Sequence, residues 1–90
     1  MTPDLAYSQC MEDTFGHAEY MREIGYFIRE LAKGAKLEVA SASEDERAFS
    51  QGRLMAYHEV ISLMREQALI FRLHLEDISL EGFDPDRDLL

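Results

Sequence analysis

Very little in this chain can be stapled or kinked. A single cysteine, Cys10, stands among 90 residues, so no internal disulfide can form and packing must hold the fold. The only prolines are Pro3 and Pro85, and nothing between them forbids long helices. The five glycines are scattered, with no glycine-rich phosphate loop and no serine-centred elbow. Basic residues are scarce. Nine Lys and Arg face 18 Asp and Glu, and a formal charge of −9 repels phosphate backbones, so no nucleic-acid partner is expected. No apolar run approaches the roughly 18 residues of a membrane span, so no membrane partner is expected either. Met1-Thr2-Pro3-Asp4 lacks the basic-then-apolar pattern of a secretory leader, which with the lone cysteine makes the cytoplasm the expected compartment.

What is present is a helix-rich pattern. Hydrophobic content of 47% with 30% charged residues suits one globular domain spanning residues 1–90. The strongest stretch runs from about 44 to 75. Ser43 and Glu46 form a capping-box pattern at its start, and Glu44, Asp45 and Glu46 put negative charge at the positive end of the helix dipole. Two apolar stripes follow. Leu54, Tyr57, Ile61, Met64, Ala68 and Phe71 keep strict three-then-four spacing, and Phe49, Ala56, Val60, Leu63 and Ile70 lie beside them. Together they span roughly 200° of circumference, about twice the apolar arc of an ordinary surface helix. Gln51, His58, Ser62, Arg65 and Glu66 fall on the solvent side.

A second helix is predicted over about 17–39, with Tyr20, Met21, Ile24, Phe27, Ile28 and Leu31 on its apolar side. Before it, Thr2-Pro3-Asp4 suits a helix start, and Leu5 to Phe15 reads as a short helix or as the first turns of a longer one. Gly16 weakens continuity there. Gly25, at the edge of the stripe, would let another helix approach closely. The link Ala40-Ser41-Ala42-Ser43 is short and implies an antiparallel hairpin. A turn near residue 41 sets Phe27 near Ala56, Leu31 near Gly52 and Tyr20 near Leu63. Past 75, Ile78, Leu80 and Phe83 suggest a turn folded back on the hairpin, with Gly82 as a helix stop. Residues 76–90 hold six carboxylates against Arg87 alone, a net −5, and Asp84 to Leu90 is expected to be a mobile acidic tail.

Constellations that carry chemistry are thin. His17 with Asp13, and His74 with Gln67, lack the Glu-x-x-His spacing of a bundle metal site, and His58-Glu59 only begins such a motif. His17 and His74 read as helix-end residues, hydrogen-bonded or partly solvated. Asp84, Asp86 and Asp88 open like a calcium loop, but Leu89 stands where glycine is required. Cys10 has no basic neighbour to lower its pKa, so it reads as a packed small residue. No cofactor, metal or catalytic residue is therefore expected. The segment Gln51-Gly52-Arg53-Leu54-Met55-Ala56-Tyr57-His58-Glu59-Val60-Ile61-Ser62-Leu63-Met64, with Leu80-Glu81-Gly82-Phe83-Asp84-Pro85, resembles small bacterial helical-hairpin proteins that have no assigned activity. The resemblance implies a hairpin fold and a bacterial cytoplasmic setting, and it carries no functional residues across.

The expectation is an all-α protein: a long antiparallel helical hairpin that dimerises into a four-helix bundle, with short N- and C-terminal helical segments. Leu54, Tyr57, Ile61, Met64, Ala68 and Phe71 are the expected homodimer interface. The competing arrangement folds residues 1–15 and 76–83 over that stripe to give a compact monomer. The function expected is non-enzymatic, a small adaptor or regulator. The alternative is an acidic neutraliser of a basic protein partner, immunity-like or nucleic-acid-mimicking, that uses the acidic end.

Overall fold

The computed structural model describes the backbone from Pro3 and the side chains from Gly16 onward. The helix start at Thr2-Pro3-Asp4, the packed Cys10 and the cover expected from Leu5, Met11 and Phe15 lie outside the described side chains. Two long helices, α1 (Pro3–Ser41) and α2 (Arg47–Ile70), pack against each other as a hairpin. A 3-10 turn (Leu75–Ile78) and a short helix α3 (Pro85–Leu89) follow. Among the described residues there is no strand. The fold is an all-α helical hairpin.

The helix limits differ from those expected at 17–39 and 44–75, for local reasons. α1 runs through Gly16, because one glycine costs only about 1 kcal/mol within a long helix. His17 is accordingly mid-helix rather than at a helix end. The expected Ser43 cap is absent. Its backbone carbonyl closes a turn onto Glu46 N, and Glu46 takes the N-cap position with no side-chain cap bond. α2 stops five residues early. Arg72 adopts a left-handed conformation (φ 59°), Leu73 N donates to Ala68 O, and Arg72 N donates to Leu69 O. Those paired bonds form a Schellman stop. No glycine marks it, so periodicity alone ran past it.

The longer connection moves the turn centre from 41 to about 44, and the register moves with it. Arg53 pairs with Glu38, and Tyr20 and Ile24 line one cavity with Met64, Gln67 and Phe71. Tyr20 therefore sits beside Gln67 and Phe71, about one turn from the expected Leu63. Leu31 is half exposed and Gly52 has no heavy atom within 4 Å of where its Cβ would stand, so their expected close packing does not occur.

The C-terminal segment is the third component of the fold, not a mobile tail. Ile78, Leu80, Phe83 and Leu89 are buried in the same cluster as Ala32, Ala35, Leu54, Ile61 and Ala68. Among the described residues the largest fully buried side chains are Ile61, Leu80 and Leu89, and two of these three come from this segment. Gly25 makes the docking possible. The Ile78 carbonyl passes over it so closely that a Cβ there would lie 1.7 Å from the oxygen. The close approach foreseen at Gly25 is thus made by a turn backbone rather than by a helix. Beside it, Ser79 Oγ donates to Arg22 O at 2.7 Å.

Polar contacts fasten the acidic end of the chain. His58 Nε2 meets Asp86 Oδ1 at 2.7 Å, Arg65 lies 3.6 Å from Asp84, and Lys36 Nζ donates to Leu90 O. α3 is capped from both ends of its first turn: Asp86 N donates to the Asp84 side chain, and Asp84 N donates to the Asp88 side chain. Pro85 occupies the first helical position, where its missing N–H leaves no partner unmet. Gly82, at φ 72°, turns the chain between the 3-10 turn and α3 instead of stopping a helix. Arg87 donates to its carbonyl.

Candidate functional site

The stripe expected to form the homodimer interface is largely used within the chain. Ile61 is 0% exposed, Leu54 and Ala68 are buried, and Tyr57 and Met64 pack against the core half-buried. Only Phe71, 70% exposed, remains outside. The positions expected to face solvent help to explain this. His58 and Arg65 hold α3, so the C-terminal segment covers the side of the hairpin that periodicity alone had left bare. Two apolar stripes lying side by side do not say which one α1 and the tail will take.

Among the described residues, the uncovered surface is the neighbouring stripe together with its counterpart on α1. On α2, Phe49, Ala56, Val60, Leu63 and Ile70 are all exposed, Phe49 by 76%. On α1, Tyr20, Ile24, Phe27 and Leu31 are exposed as well, Tyr20 by 65%. At about 100° per residue these α1 positions lie 100° or more around the helix from Gly25, where the C-terminal segment docks. Leu63, Ala56 and Phe49 lie equally far from His58 and Arg65. One apolar face therefore runs across both helices, opposite the C-terminal layer. Several side chains that each present on the order of 100 Å² make a patch of roughly 800 Å², more than the few hundred that soluble monomers usually show.

Both halves of this face are periodic in the sequence. Phe49, Ala56, Leu63 and Ile70 recur every seven residues, as do Tyr20, Phe27 and Gly34 on α1. A strict seven-residue repeat marks a helix face that packs lengthwise against further helices. Leu54, Ile61 and Ala68, and Tyr57, Met64 and Phe71, recur every seven residues as well, so the repeat alone does not separate the outer stripe from the core stripe.

The face has relief. Near the open end of the hairpin, Tyr20, Ile24, Met64, Gln67 and Phe71 line a cavity of about 270 Å³ whose walls are almost wholly apolar and which reaches Leu73 and Ile78 of the C-terminal segment. Near the loop end, Phe49 projects from a polar groove containing Glu38, Asp45 and Glu46. The adjacent Glu38–Arg53 pair is flanked by Tyr57, with the guanidinium 5.6 Å from the ring centre. That carboxylate holds the Arg53 pKa above its usual value.

Polar chemistry is sparse elsewhere. Among the described residues no three His, Cys, Asp or Glu side chains converge as a metal-binding group. His74 caps the 3-10 turn, its N–H donating to the Asp77 side chain, and His17 is exposed on α1. Asp84, Asp86 and Asp88, the calcium-like series, are the groups that cap and anchor α3. The Arg87 guanidinium, with a further bond from Asp84 N, holds the Asp88 carboxyl down at about 2. No described helix is long and apolar enough to cross a membrane. Compared with protein-family models, curated proteins and solved structures, the chain matches none.

Proposed function

We propose that the chain is a non-enzymatic protein–protein interaction module, a small cytoplasmic adaptor or regulator that works through the uncovered apolar face. One observation carries this reading: the hairpin closes its core on one side with its own C-terminal segment and leaves a continuous apolar surface on the other. Covering such a surface is the favourable step in association. Gln67 and the Tyr20 hydroxyl are the polar groups among the cavity's lining residues, which suits packing of an apolar group more than acid–base work.

The acidic-neutraliser reading loses its main support. It needed a mobile acidic end, and that end is folded, with Asp84, Asp86 and Asp88 engaged by Arg65, His58 and Arg87. The test is position-selective capture in the source cell. A photo-crosslinking amino acid at Leu63 should trap a protein, and the same group at Gln51, on another side of α2, should not. Equal capture at both positions, or none at Leu63, would refute this function.

A further inference from the structure

We infer that the open face is covered by a second copy of this chain, docked antiparallel about a two-fold axis near Val60, with Phe49 of each copy entering the cavity between Tyr20 and Phe71 of the other. The inference rests on reading this face as an interaction surface and names its occupant.

Three observations carry it. The first is relief. The face holds a projecting ring at one end and an apolar cavity of about 270 Å³ at the other, a volume that accepts one aromatic ring. Phe49 and the cavity centre, near residue 69 of α2, are roughly 30 Å apart along the helix. A two-fold axis midway, close to Val60, brings each ring onto the partner's cavity and closes the contact after two copies. An unrelated partner would have to supply both a ring and a cavity at that same spacing. The second is area: roughly 800 Å² per chain is what a standard interface takes from each partner. The third is periodicity. Heptad-spaced positions on both helices give two hairpins the side-by-side packing of a four-helix bundle, with helix axes about 20° apart.

The charges permit this arrangement despite the net −9. The face is mainly aromatic and aliphatic; at its loop end Glu38 is paired with Arg53, while Asp45 and Glu46 beside Phe49, and Glu59 beside Leu63, are exposed and keep their hydration at its margins. The carboxylates that anchor α3 lie on the opposite side of the hairpin.

The experiment is sedimentation of the full chain from micromolar to near-millimolar concentration, with linking of single cysteines in a Cys10→Ser background. The expected mass is twice 10.4 kDa. Phe49→Ala should weaken the dimer by about tenfold or more, as loss of an aromatic anchor does. Its helical circular dichroism should not change, because Phe49 lies outside the core. A short thiol-reactive linker should join two Val60→Cys chains. It should also join Phe49→Cys to Phe71→Cys, but not Phe49→Cys to itself, whose copies stand roughly 30 Å apart. A species of 10.4 kDa at every concentration overturns the inference, as does self-linking through Phe49→Cys. If the chain stays monomeric while Leu63 still captures a different protein in the cell, the interaction reading stands and the second copy is wrong. If neither occurs, both fail.

Discussion

Gly25→Ala is the sharpest probe of how the C-terminal segment is held. On helix propensity alone the substitution should stabilise α1, since alanine is favoured over glycine by about 1 kcal/mol in a helix interior. Packing opposes it. The added methyl would stand 1.7 Å from the Ile78 carbonyl oxygen and 2.7 Å from its carbon, whereas real Cβ atoms keep at least 3.0 Å, so the turn must retreat by 1.3 Å or more. The obstacle is backbone, which cannot swing aside as a side chain can. Overpacking of this kind costs about 1–3 kcal/mol when the structure yields slightly. If the turn lifts away, Ile78 and Leu80 lose burial worth about 1.5–3 kcal/mol each. After the propensity gain, net destabilisation is about 0–2 kcal/mol if the turn yields slightly and about 2–5 kcal/mol if it lifts away. Gly34→Ala and Gly52→Ala are the controls: neither Cβ meets an atom within 4 Å, so each should be neutral or stabilise by up to about 1 kcal/mol. Chemical denaturation followed by helical circular dichroism reads all three. If Gly25→Ala stabilised the protein as the controls do, Leu75–Ile78 would not dock where described, and the C-terminal layer would have to be abandoned.

Other outcomes follow from the same contacts. Leu89→Ala should cost about 2–5 kcal/mol, because a fully buried leucine leaves a cavity, and an unchanged melting midpoint would show that α3 is not docked. The Asp88 carboxyl titrates near 2 in the folded chain against 3.8 when free, so its stabilising contribution is complete above about pH 4 and disappears as pH falls towards 2. The stability gap between the protein and Asp88→Asn should close over that window, and a constant gap would contradict the capping geometry. Arg72→Gly should raise stability by up to about 1 kcal/mol, since glycine adopts the left-handed stop at less cost than a residue with a Cβ, and a lower denaturation midpoint would contradict it. Ser43→Ala should stay within about 0.5 kcal/mol of neutral, because no cap bond exists to lose; a clear loss would restore Ser43 as the cap.

The hairpin was legible because helical periodicity is a local property that packing does not need to create. The fold-back of Ile78, Leu80 and Phe83 was also legible, as apolar residues after a short polar break. Three features were not. The stop at Arg72 and the turn at Ser79 use left-handed residues that are not glycine, so no punctuation marked them. Asp84-Pro85-Asp86 reads equally as a solvated tail or as the start of a capped helix, and only contact with His58 and Arg65 decides. The choice of stripe depended on where α3 would land, a tertiary fact. Ile61 and Leu63 are similar aliphatic residues two positions apart, yet one is fully buried and the other exposed.

These features connect stability to the open face. Among the described residues the core is small, and Ile78, Leu80, Phe83 and Leu89 of the C-terminal segment supply much of it. A chain of this size holds only a modest margin against unfolding. Association through the far side would add to that margin without altering any core contact, by about 2.7 kcal/mol when the free partner stands at a hundred times its dissociation constant. On the proposed reading the two faces divide the work. The C-terminal segment makes the hairpin a folded unit, and by fixing the register at Gly25 and His58 it sets which stripe points outward. A lesion at Gly25 should therefore harm docking only through folding, whereas loss of Phe49 should harm docking and leave the isolated fold intact. That asymmetry follows from the helix geometry, because positions 100° or more apart on one helix share a backbone but few neighbours.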